Sequence, residues 1–205
     1  MRRTLRIAGG IACLAAAGVA LLLAVDVRAW QGRVAADDLR FRNVPARSDL
    51  WRPRQLLPLG AARRLLALDD DLQYRRALRL YRLGRPLSDR FDSATAADRI
   101  DAQIALSEAA DDVAEGPRRA QAANLLGVLQ TALATGEPRV ARTFVVNAIA
   151  SFVGASQLDE TDDAPKFNLE FLLNQLKGQR EEQLPSTGRQ GQRGQAGVTE
   201  LGRGY

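Results

Sequence analysis

The sequence predicts an all-α protein hung from a single N-terminal membrane-spanning helix, and three observations carry that prediction. Residues 7–25 are continuously apolar. Beyond Gly60, apolar side chains recur at helical spacing in successive stretches separated by Gly and Pro. No segment shows the strict alternation, bounded by hairpin turns, that a half-buried strand requires. At 205 residues the chain has room for about one folded domain.

The anchor is the run from Ile7 to Val25, IAGGIACLAAAGVALLLAV, which holds no charged or strongly polar residue. As a helix it spans roughly 28 Å, against a hydrocarbon core of about 30 Å. A cleaved signal peptide has a shorter apolar core of about 7–15 residues. Val27-Arg28-Ala29 makes a poor cleavage site because of its charge, so an uncleaved anchor is the preferred reading. A secreted protein released near Ala29 is the rival. Cys13 sits mid-run without a lipobox before it and counts as one more apolar position. Arg2, Arg3 and Arg6 in the basic tail 1–6 face Arg28, Arg33, Arg40 and Arg42 across the span. Positive charge packed against the start of the run places the N-terminus in the cytoplasm and the body outside the membrane.

Residues 26–59 form an Arg-rich juxtamembrane arm. Its first part, to about Phe41, can continue the membrane helix, whereas Pro45, Pro53 and Pro58 force the rest into extended chain. Trp30, five residues past Val25, is placed for an interfacial indole; Trp51 is expected to pack on the helical body. That body, residues 60–177, reads as stacked helical hairpins. Tyr74, Ala77, Leu78 and Tyr81 make one stripe, ended by Gly84 and Pro86. A helix N-capped by Ser93 carries Leu106, Ala109, Ala110 and Val113, with Gly116-Pro117 as its stop. Ala122, Leu125, Leu126, Leu129 and Leu133 follow, up to Gly136. Ala141, Phe144, Val145, Ala148, Ile149 and Phe152 are the best stripe, and Leu169, Leu172, Leu173 and Leu176 the last, ending at Gly178. Residues 178–205 hold seven Gly and five Gln and few large apolar side chains, a composition expected to stay disordered.

Charge is distributed unevenly. Residues 1–65 carry twelve Arg against four Asp, while 93–178 carry seven basic and twelve acidic residues. The net charge of +5 therefore hugs the membrane segment, as anionic lipid heads favour, and the folded part is acidic. A nucleic-acid reader would carry its basic face on the folded part. With no histidine and one cysteine, His general-base catalysis, Cys–His pairs, His or Cys metal sites and internal disulfides are all excluded. Phosphate-loop, nucleophile-elbow and dinucleotide glycine patterns are absent. The acid groups Asp69-Asp70-Asp71 and Asp162-Asp163 stand at helix starts, where carboxylates stabilise the dipole. Asp159, Thr161, Asp163 and Glu170 have EF-hand spacing, but Ala164 and Pro165 occupy the turn where that loop needs Gly.

Around Asn124-Leu125-Leu126-Gly127 a helix runs to the Gly136 turn, into a second helix, and on to the acidic loop Asp159-Glu160-Thr161-Asp162-Asp163. This resembles a tetratricopeptide repeat, although Asn124 and Asn168 lie 44 residues apart rather than the usual 34 or so. A closer likeness rests on DDAPKFNLEFLLNQL, the DVRAW segment, the single span and the Gly-rich tail ending in Gly-Tyr. With these features the chain resembles small anchored proteins from bacterial clusters that also encode a MoxR-type AAA+ ATPase and membrane proteins with von Willebrand factor A domains. The resemblance implies a non-catalytic accessory or scaffold module. Its partners would be that ATPase or the A-domain proteins. The resemblance also implies a contact surface at Asp163, Lys166, Phe167, Asn168 and Glu170. The preferred alternative takes Leu169, Leu172 and Leu173 as core and Asn168 as a turn residue or inter-helix hydrogen-bonder. Composition and charge point to no cofactor, metal, nucleic acid or small-molecule substrate. The rival is a secreted or anchored helical protein of unknown role, and behind it an enzymatic activity that no residue spacing marks.

Overall fold

The computed structural model describes residues 2–85, 93–114, 116–136 and 139–183. Within them the chain is all helical, with seven α-helices, one 3-10 turn and no strand. It divides into two compact units at Leu72.

The first unit begins with α1, Arg2–Asn43, whose 42 residues extend over roughly 63 Å. Its N-terminal half is the expected apolar segment, with side chains such as Leu14 standing 76% exposed. This helix is long and apolar enough to cross a membrane. Beyond Val25 its character changes. Asp26, Trp30, Arg33 and Asp37 recur at intervals of four, three and four residues, which places them on one face. Asp26, Trp30 and Asp37 are all buried.

What buries them is the arm, which turns back after Asn43. The Trp51 backbone N–H donates to Asp37 Oδ2 at 2.7 Å, and the Leu56 and Leu57 N–H groups donate to the two Asp26 oxygens at 2.8 Å each. Asp37 and Asp26 are about 16 Å apart along the helix, and six residues of extended chain reach roughly 20 Å. The arm therefore runs nearly straight and antiparallel to α1. A 3-10 turn, Pro58–Gly60, and the short helix α2, Ala61–Leu65, follow, and α2 packs on α1.

The second unit contains most of α3, Asp69–Leu83, then α4, Ser93–Asp112, α5, Gly116–Gly136, α6, Ala141–Leu158, and α7, Ala164–Gln183. One cluster joins Tyr74 and Ala77 of α3 to Ala102, Leu106 and Ala109 of α4 and to Leu125 and Leu129 of α5. A second joins Val128, Ala148, Phe152 and Leu172 of α5, α6 and α7. Ser151 Oγ donates to Gln130 Oε1 at 3.1 Å, and Gly116 lies against the Leu158 carbonyl, so α5 and α6 run antiparallel. They approach closely because residue 127 has no side chain. A Cβ on Gly127 would stand 2.6 Å from the Phe152 ring, which is fully buried.

Several expectations change. The unit boundary falls at Leu72 rather than at residue 60, because the arm and α2 pack on α1. Trp30 is buried and not interfacial, since the arm lies along its face of α1. Trp51 packs on Phe41 of α1, ring centroids 5.3 Å apart, instead of on the helical body; its Nε1–H donates to Asp38. Gly116-Pro117 opens α5 instead of closing α4, because a first-turn proline has no amide bond to lose. Helix α7 runs through Gly178 to Gln183, as a mid-helix glycine costs only about 1 kcal/mol and the residues that follow are helix formers. Of the tail expected at 178–205, residues 184–205 lie outside the described residues.

Candidate functional site

Between α6 and α7 lies an open groove of about 410 Å³. Its lining is regular. Val153, Ser156, Gln157 and Glu160 follow i, i+3, i+4, i+7, and so do Lys166, Leu169, Glu170 and Leu173. Val153, Ser156 and Gln157 are a stripe of α6 and Lys166, Leu169, Glu170 and Leu173 a stripe of α7, while Glu160 comes from the turn just past the end of α6. The floor is apolar, formed by Val153, Leu169 and Leu173, while Glu160, Lys166 and Glu170 supply charge of both signs.

The loop joining the two helices is held by its own acids. Asp159 Oδ1 accepts from the Thr161 N–H at 3.0 Å and from the Thr161 hydroxyl at 2.6 Å. Those two bonds, the hydroxyl's first, hold the Asp159 carboxyl below the usual carboxylate range. Asp162 Oδ1 accepts from the Ala164 N–H, and the Asp163 carbonyl accepts from Phe167 N as α7 begins. Lys166 Nζ reaches back to the Glu160 carbonyl at 2.7 Å and to Asp163 Oδ1 at 3.1 Å, closing the end of the groove. The Asp159 carboxylate that would begin a calcium loop is thus engaged in a turn with Thr161.

The five residues put forward from sequence separate into three roles. Lys166 and Glu170 line the groove, and Asp163 steadies Lys166 at its mouth. Phe167 is 58% exposed and outside the groove lining. Asn168 leaves the contact surface: it is buried, and its Nδ2 donates to Asn124 Oδ1 at 2.9 Å. The alternative reading of Asn168 is the one realised, and it ties α7 to α5. Leu172 is core, whereas Leu173 is 40% exposed and lines the groove.

Sequence reasoning missed the α6 wall. Val153, Ser156 and Gln157 lie on the side of α6 away from its core stripe of Ala148, Phe152 and Ala155, and their spacing was the available signal. It also missed the buried stripe of α1. Asp37 is 0% exposed and accepts from Arg33 Nε at 2.8 Å and Arg40 Nη1 at 2.7 Å as well as from Trp51. Near the bend of the arm Arg47 pairs with Asp49 at 2.8 Å, and that hydrogen bond, with Arg33 close by, draws the Asp49 carboxyl down to about 2.

Fold and groove together define a helical protein with one apolar membrane-length helix and an open inter-helix groove. No family model, curated protein or solved structure matches the chain.

Proposed function

We propose that this protein is a membrane-anchored, non-catalytic interaction module, its first unit tethering it and its second capturing an amphipathic helix of a partner protein. The observation that carries this is the open groove between the α6 stripe Val153, Ser156 and Gln157 and the α7 stripe Lys166, Leu169, Glu170 and Leu173, because an apolar floor between two helical walls is the receptor side of helix-in-groove recognition. Charge of both signs at Glu160, Lys166 and Glu170 would set the register of the bound helix. In this reading α5, α6 and α7 are a degenerate tetratricopeptide-like unit, and Asn124 and Gly127 serve its packing.

The likeness to anchored proteins encoded beside MoxR-type ATPases and von Willebrand A-domain proteins supplies the partner class. With the body outside the membrane, contact is with extracytoplasmic parts of the A-domain proteins; with it inside, contact is with the ATPase itself. The test is a pull-down from detergent-solubilised membranes with the full chain and with Val153→Glu combined with Leu173→Arg. Both positions are partly exposed, so the helices should survive. Recovery of an ATPase or A-domain protein, lost in the double variant, supports the reading. Undiminished recovery moves the site away from the groove, and no specific recovery removes the partner assignment.

A further inference from the structure

The arm does more than cover one face of α1: it carries leucines down to the edge of the apolar segment. Asp26 is the first residue after that segment, and its carboxylate, 1% exposed, takes the backbone N–H groups of Leu56 and Leu57. This fixes the height of the following turn. Leu56 is 59% exposed and Leu59 81%. Leu59 also has φ +65° and Gly60 φ +66°, so a left-handed reversal holds the Leu59 side chain in the open. Left-handed backbone is unfavourable for a leucine and persists only where its surroundings impose it. Leu65 on α2, which packs on α1, is 65% exposed. Exposed Arg54 and Arg64 flank the turn, and exposed Arg28 lies two residues past Asp26 on α1.

Three large exposed leucines at the end of a membrane-length helix, interleaved with arginines, form an interfacial surface rather than a water-facing one. We propose that the turn Leu56–Gly60, with Leu65, dips into the same bilayer that α1 spans, its leucines at the headgroup–acyl boundary and its arginines on lipid phosphates. Asp26 thereby has a function beyond folding, as the pin that sets the depth of the turn. The occupant of this surface is lipid, because Asp26, the first residue past the apolar run, holds the turn at the end of the span. The inference rests on α1 being inserted.

The test uses full-length protein reconstituted into vesicles of phosphatidylcholine and phosphatidylglycerol, with an environment-sensitive fluorophore on one cysteine at a time. The labelled proteins are the native chain at Cys13, Cys13→Ala with Leu59→Cys, and Cys13→Ala with Leu39→Cys. Leu39 is exposed on α1 and lies roughly 20 Å beyond Asp26, so it reports on water. The expected result is blue-shifted emission at positions 13 and 59, quenched by nitroxide-bearing lipids, deeply at 13 and shallowly at 59, and water-like emission at 39. Water-like emission at 59 with 13 still quenched by lipid overturns the proposal and leaves the span intact. A blue shift at 59 that nitroxide lipids fail to quench overturns it in favour of a protein surface covering the turn. Water-like emission at 13 removes the span and the proposal together.

Discussion

The two units are both helical yet are held together by different physics. In the second, stability comes from apolar volume: alanines and leucines of α4 and α5, and Phe152 seated on Gly127. In the first, the contact between arm and helix combines buried Trp30, Leu50 and Trp51 with two buried carboxylates, Asp26 accepting two backbone N–H groups and Asp37 one backbone N–H and two arginines. The difference teaches that an arm with three prolines, which cannot form regular helix or sheet ladders, still satisfies its amides when aspartates on a neighbouring helix accept them. At Asp37, Arg33 and Arg40 then keep the buried charge compensated, which matters because an uncompensated buried carboxylate is strongly unfavourable.

The comparison breaks most readily at Asp37. Asp37→Ala leaves the Trp51 N–H without an acceptor and two arginines facing one another, and should destabilise the arm by about 3 kcal/mol. Hydrogen exchange on the full chain in detergent should show residues 44–57 losing protection while α5 and α6 keep theirs; loss in both would mean the units are not energetically separate.

In the second unit the sensitive quantity is volume. Gly127→Ala drives a Cβ into the Phe152 ring. Overpacking there should cost about 2 kcal/mol despite the helix propensity gained, and Phe152→Leu in the same chain should recover part of it. Thermal unfolding of the two variants checks the claim, and an unchanged midpoint for Gly127→Ala would show that the α5–α6 contact is looser than described.

A smaller loss, about 1.5 kcal/mol, is expected for Asn168→Ala, which orphans the Asn124 amide. Adding Asn124→Ala should cost less than its effect alone. Strict additivity in that double-mutant cycle would mean that the pair does not interact.

The mildest perturbation is acid. Asp49 is ionised with its carboxyl drawn down to about 2, below the ordinary value of about 3.9. Its contribution is present in full above pH 4 or so and fades as pH falls towards 2. Trp51 fluorescence should follow that titration and Asp49→Asn should remove it. Because Asp49 is exposed, raised salt should weaken the effect, whereas the Asp37 contact should hold.

What the sequence determined by itself is local. The apolar run of α1 and the stripes of α3 to α7 are visible because helical periodicity is a property of residues three and four apart. The Lys166–Glu170 wall belongs to the same legible set. What the tertiary structure decided depends on residues far apart in the chain. The Asn124–Asn168 pair joins positions 44 residues apart, and Asp26 meets Leu56 and Leu57 across 30 and 31. Trp51 turned to Phe41 and Asp38 because the arm reverses, and no periodicity within the arm marks that reversal. The groove needed two such stripes to meet, and only the turn of 159–163 brings the second wall against the first. A side chain's spacing says which face it shares, while the chain's path through space decides what that face meets.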